Sequence, residues 1–204
     1  MKTIRITAVL AYCCLVTLAH AETLEIDKVV ETLAIKEGTV VADVGAGEGH
    51  WTVALGRHVG KRGRVYSTEI TSELLRDIEK KVDNAELENV TIIRGTDADT
   101  KLPKQCCDVI LLRIVYHHFT NPHDMDQSMF ESLRVGGLIL VIDFEPGAPG
   151  APTHTLVGVP EARGGHGTPR DQLIEEMTTS GFEVVRQLYD WSPGHYAILF
   201  RRPE

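Results

Sequence analysis

The 204-residue chain is poor in aromatic side chains, 6% of the total, and has only four cysteines, two of which are Cys13 and Cys14. So few cysteines in a chain of this length exclude a scaffold stapled by disulfides. Basic charge is also short. Lys and Arg number 21 against 29 Asp and Glu, a formal net charge of −8, which makes a polyanion such as nucleic acid a poor partner. No apolar stretch reaches the roughly 20 residues needed to cross a bilayer as a helix, so no stable membrane span is expected. Low-complexity tracts are missing, and so are repeats with a period of roughly 20 to 50 residues. What is present, 43% hydrophobic and 25% charged residues, suits one soluble globular domain with a sizeable core.

The first 21 residues differ from the rest. Lys2 and Arg5 precede an apolar run from Ile6 to Leu18, closed by Ala19-His20-Ala21. This is the pattern of a signal peptide over residues 1–21, with cleavage before Glu22 and export to the periplasm or medium. An amphipathic first helix would need a polar face, which the run does not have. A lipid anchor at Cys13 is the weaker alternative, because Tyr12 stands where a small residue is expected. Cleavage leaves residues 22–204 as a single domain with 19 basic and 29 acidic side chains, a formal charge of −10. It also leaves only the adjacent Cys106 and Cys107. One peptide step is shorter than the usual Cα separation of a disulfide, so two thiols packed at the start of a strand are expected.

Further along, short β-branched runs alternate with helical patterns. Ile26, Val29, Val30 and Leu33 mark a helix face that Gly38 ends. Thr39 to Val44 reads as a buried strand, His50 to Val59 as the helix after it, and Arg64 to Thr68 as a second strand. Thr71 can cap a helix carrying Leu74, Leu75 and Ile78. Val90 to Arg94, Asp108 to Ile114 and Leu138 to Ile142 complete five strands. Between the last two, Asn121-Pro122 opens a helix with Met125, Met129 and Leu133 inward. Such alternation predicts an α/β fold with a doubly wound, mostly parallel sheet. Glu145 to Gly167, rich in Gly, Pro and Ala, reads as a long loop leaving the carboxyl end of the fifth strand, a candidate lid. Thr168 is the expected cap of a helix ended by Gly181. Phe182 to Tyr189 and Tyr196 to Phe200 then form an antiparallel hairpin.

The chemistry concentrates in Asp43-Val44-Gly45-Ala46-Gly47-Glu48-Gly49. Glycines at these positions let the backbone turn tightly and approach a ligand, and the helix start that follows favours negative charge. Dinucleotide binders share such loops, but three details point elsewhere. The spacing is G-x-G-x-G, not the G-x-G-x-x-G of the dinucleotide fingerprint. Asp43 would repel a pyrophosphate and attract an ammonium. Glu69, 20 residues after Gly49, stands where an acid can accept the hydroxyls of a ribose. An adenosine joined to an amino acid satisfies all three.

On these residues the chain resembles the class I S-adenosylmethionine-dependent methyltransferases, especially the small-molecule branch with the ubiquinone and menaquinone biosynthesis enzymes. The matching stretches are Val41 to Gly49, Gly95 to Ala98, Val115 to Phe119 and Gly136 to Asp143. The resemblance implies a Rossmann-like three-layer sandwich with a seven-stranded sheet in the order 3-2-1-4-5-7-6, the last strand antiparallel. It also implies S-adenosylmethionine as cofactor and a small-molecule methyl acceptor. Asp43, Gly45, Gly47 and Gly49 would hold the methionine part, Glu69 the ribose, and Asp97 with Ala98 the adenine. Arg113 would line the cofactor cleft, where the family is expected to carry a smaller or acidic residue. Tyr116, His117 and His118 follow the fourth strand, where acceptor and methyl should meet, and are the candidate acid–base residues. His117, His118, His123 and Asp124 have no recognised ligand spacing, so no metal is expected. His154 and His166 flank the expected lid. Two other readings are a nicotinamide-dependent oxidoreductase, against which the glycine spacing argues, and a non-catalytic exported binding protein on the same scaffold. Export bears on the latter, because an unfolded exported chain cannot carry a prebound cofactor.

Overall fold

A computed structural model describes residues 24–149, 151–152, 159 and 166–204. The proposed leader and most of the expected lid, His154 included, lie outside the described residues. Helix α1 (24–32) leads into β1 (Val40–Val44), α2 (His50–Val59), β2 (Arg64–Glu69), α3 (Ser72–Asn84), β3 (Val90–Arg94) and β4 (Cys107–Arg113). A 3-10 turn (Tyr116–His118), α4 (Pro122–Ser132), β5 (Leu133–Asp143), α5 (Arg170–Thr179), β6 (Glu183–Ser192) and β7 (His195–Arg201) complete it. The seven strands form one sheet in the order β3-β2-β1-β4-β5-β7-β6. The first five pair in parallel, and β7 runs antiparallel to both β5 and β6.

The central strands are mainly apolar, as suits a sheet covered on both faces. Alternate residues go to opposite layers. Val41, Val109, Leu111, Leu140 and Ile142 pack with Ile26 and Val29 of α1, Leu33 just after it, and Trp51 and Leu55 of α2. Ala42, Ile110, Leu112, Ile139 and Val141 pack with Met125 and Met129 of α4 and Leu173 and Met177 of α5. The parallel crossovers, helical except between β3 and β4, return each next strand's start to the same edge. All parallel strands therefore end on one side, where ligands bind in such sheets.

Local signals explain most element ends. Thr71 accepts from the Leu74 N–H at 3.4 Å, and Asn121 caps α4 with Pro122 in the first turn. Two expectations are corrected, the Thr168 cap and the free thiols. Between β3 and β4 the sequence pattern places no helix, and none is found among the described residues. Residues 95–106 instead form a loop in which Lys101 and Gln105 take positive φ, and Asp99 binds the Lys101 N–H and the Ser128 hydroxyl. Thr168 does not cap α5. Pro169 occupies the cap position without a side-chain bond, and the Thr168 hydroxyl turns inward to Asp143. Cys106 and Cys107 are joined in a disulfide across a single peptide. They lie where the loop enters β4 and the pairing with β5 shifts register between Cys107 and Val109. The ladder is irregular just beyond Cys107, a feature that spacing along a strand did not suggest.

Candidate functional site at the carboxyl edge of the sheet

β1 delivers Asp43 to this edge, where it is only 3% exposed. Its Oδ2 accepts from the Thr52 hydroxyl at 2.6 Å, and Thr52 is bonded in turn to Ser67 at 2.8 Å. Burial pushes the Asp43 pKa up to about 6. The Thr52 hydrogen bond opposes that rise, Glu69 adds to it, and Arg113 opposes it. A buried carboxylate so disfavoured as an anion suits a cationic ligand group.

The glycine loop follows directly after β1. Gly45 and Ala46 both donate to the Thr68 carbonyl at 3.0 Å, which ties the loop to β2. Gly45 (φ +71), Gly47 (φ +55) and Gly49 (φ +82) are left-handed, a conformation that only glycine adopts cheaply. At Gly45 a Cβ would fall 2.3 Å from Val115 Cγ2, so the loop packs directly on the segment after β4. At Gly47 a Cβ would meet nothing within 4 Å. The Cα side of Gly47 therefore faces open space, which leaves room for a ligand against the loop. Glu69, at the end of β2, accepts from the Gly47 N–H at 3.2 Å and the Ile70 N–H at 2.7 Å, which places its carboxylate beside the loop.

The other expected residues divide. Asp97 is exposed and Ala98 half-buried in the loop after β3, while the neighbouring Asp99 is committed to Lys101 and Ser128. Arg113 turns onto the α1 and α2 layer. It pairs with Glu25 at 2.9 Å and stacks over Trp51 at 5.0 Å, and Trp191 donates to the same Glu25. Nothing in the local sequence pointed to that cluster, because Glu25 and Trp191 lie far away along the chain. Tyr116 is removed from the acid–base set. It is fully buried, and its hydroxyl lies 2.9 Å from carboxylate oxygens of Asp126 and Glu176 beneath α4 and α5. Burial and then these carboxylates hold its pKa well above 10. The 3-10 turn sends Tyr116 into the core and the two histidines to the edge.

His117 is buried and anchored by Asp143, the last residue of β5. Its backbone N–H donates to Asp143 Oδ2 at 3.0 Å, and its Nδ1 lies 2.8 Å from Oδ1. Phe144 N–H and the Thr168 hydroxyl reach the same carboxylate. His166 arrives from the distant loop, its Nε2 at 3.1 Å from His117 Nε2. Gly167 (φ +114) makes this possible, since a Cβ there would fall 2.7 Å from the Phe144 carbonyl. His118 lies at the rim, and desolvation followed by the neighbouring His117 and His166 lowers its pKa to about 4. His123 and Asp124 stay apart on the exposed start of α4. The sequence reading missed Asp143 as an anchor. Its place as an acid ending a central strand, like Asp43, was the available signal.

A family model described as a methyltransferase domain matches residues 35–188. Among curated relatives, a demethylmenaquinone methyltransferase of Listeria welshimeri is 25% identical over 119 residues, covering 58% of this chain and 50% of the relative. The chain thus spans about half the length of the curated relatives it matches. Among solved structures, an S-adenosylmethionine-dependent methyltransferase from Aquifex aeolicus superposes with a TM-score of 0.71. It is 20% identical, with 87% of this chain and 89% of that one covered. The [4+2]-cyclase SpnF has the same fold, with a TM-score of 0.70, 14% identity, and 87% and 80% covered. A family match over three quarters of the chain, a sheet order of 3-2-1-4-5-7-6 and a three-glycine loop following Asp43 place this chain in the class I S-adenosylmethionine-dependent methyltransferase family.

Proposed function

We propose that the protein binds S-adenosylmethionine over the Gly45 to Gly49 loop and transfers its methyl group to a small organic acceptor. The observation that carries this reading is the buried Asp43 carboxylate at the head of the left-handed glycine loop, with Glu69 bonded to the Gly47 N–H. Asp43 would receive the ammonium, Glu69 the ribose hydroxyls, and Asp97 with Ala98 the adenine. Arg113, held by Glu25 and Trp51, would act from behind as a charge near Asp43. When bound, S-adenosylmethionine supplies a methyl group already activated by its sulfonium, so the protein's main task is alignment. His117 and His118 stand at the edge where an acceptor would approach, and an imidazole there can take a proton from an oxygen, nitrogen or sulfur nucleophile.

Because a cyclase shares the fold, cofactor binding and turnover need separate tests. Calorimetry should show one S-adenosylmethionine per chain, and Glu69→Ala should weaken binding by about tenfold or more, the loss expected for hydrogen bonds to a charged acceptor. An absence of heat at millimolar cofactor, or equal affinity in Glu69→Ala, would end this reading. Export with cleavage before Glu22 belongs to the same proposal. Among the described residues, no helix is long and apolar enough to cross a membrane. Intact mass of protein recovered from the periplasm or medium should correspond to a chain starting at Glu22. A cytoplasmic product that keeps Met1 through Ala21 would contradict it.

A further inference from the structure

We infer that His117, His118 and His166 form a binding site for one divalent transition-metal ion, zinc in the first instance, at the carboxyl edge of the sheet. One ligand nitrogen from each of the three lies within 4.8 Å of the other two. The closest pair, His117 Nε2 and His166 Nε2, is 3.1 Å apart. Two nitrogens bound to a tetrahedral zinc at its usual Zn–N length stand about 3.3 Å apart, so a small movement of the rings admits the ion. The fold has also supplied the outer support of a metal-binding histidine. Asp143, fully buried, holds His117 Nδ1 at 2.8 Å, which directs the opposite nitrogen, Nε2, to His166. A carboxylate in that position fixes the tautomer and makes the imidazole a better ligand. Phe144 closes one side, with its ring 4.8 Å from His117 and 5.7 Å from His166, while His118 lies on the exposed side.

Three imidazoles leave a fourth position for water or for an oxygen or sulfur donor, the arrangement of a zinc site that does chemistry and not merely structural work. In the proposed methyl transfer, and resting on that reading, the ion would polarise the acceptor atom when bound, and the ring nitrogens that take protons in the metal-free protein would then be its ligands. Metal binding itself requires neither cofactor nor acceptor, so the two readings fail separately.

The test uses the full chain stripped of metal with a chelator and titrated with zinc by calorimetry. Cobalt serves as a second probe, whose visible absorption is strong when four-coordinate and weak when six-coordinate. One ion per chain and strong cobalt absorption are expected. His118→Ala and His166→Ala, both outside the packed core, should each weaken zinc by more than about a hundredfold, beyond the 10- to 100-fold typical of losing an outer partner. His123→Ala, on the exposed start of α4, should bind like the parent. Circular dichroism checks that each variant is folded. Equal zinc affinity in the parent, His118→Ala and His166→Ala would overturn the site, as would equal losses in His123→Ala and His166→Ala. Intact S-adenosylmethionine binding alongside either result would show that only the metal inference has failed.

Discussion

Asp43→Asn should make the ligand-free protein more stable at pH 7 while weakening S-adenosylmethionine by about a hundredfold, within the range measured for breaking a buried charged pair. The folded pKa of Asp43 is about 6 against 3.8 without the fold, so the folded state binds more protons between those values. Stability from this group is therefore fully present below pH 3.8 and is lost as pH rises through about 6. The difference corresponds to roughly 2–3 kcal/mol at neutral pH. The amide has no charge to desolvate and can still accept from Thr52, so the variant should escape that loss. Thermal unfolding between pH 4 and 7 should show the parent falling relative to Asp43→Asn. Binding should have the opposite slope. An ammonium stabilises the Asp43 anion, so affinity in the parent rises with pH up to about 6 and then levels, and the variant shows no such rise. Parallel stability curves with unchanged cofactor affinity would mean that Asp43 is neither buried at a cost nor a ligand.

Asp143→Ala is expected to cost about 3–5 kcal/mol, the usual size for breaking a buried charged or hydrogen-bonded network. Asp143 serves two backbone N–H groups, the His117 ring and the Thr168 hydroxyl at once. Each buried donor left without an acceptor costs about 1–3 kcal/mol, and neighbouring losses do not add fully. Against a total stability of 5–15 kcal/mol typical of natural domains, such a variant lies close to unfolding at physiological temperature. Urea denaturation would measure the change. A loss below about 1 kcal/mol would show that water reaches this carboxylate's partners and that the anchor is not what holds His117 and Thr168 in place.

Much of the architecture was legible because it depends on short-range rules. The bounds of α2 and the Thr71 and Asn121 caps follow from local periodicity and hydrogen bonding, and agree with the structure residue by residue. Strand ends were less legible. β5 begins at Leu133, five residues before the apolar run, because Leu133 pairs with Cys107 of β4 ahead of the register shift, and Gly136 and Gly137 bond to Arg202. The cap that Thr168 does not provide is a case where a tertiary partner, Asp143, took a polar group that local reasoning had assigned to the backbone.

Sequence alone determined the alternating α/β order, the glycine loop, and the acids that end β1 and β2, since a left-handed turn and a strand-end carboxylate are written in residue type and spacing. Tertiary structure alone decided that Tyr116 leaves the site for the core and that Arg113 turns to Glu25 and Trp51. It also decided that His166, 48 positions beyond His118, joins the pair after β4. Those partners lie far apart along the chain, and their meeting depends on how β4 and β5 pair and on the room that Gly167 leaves above Phe144.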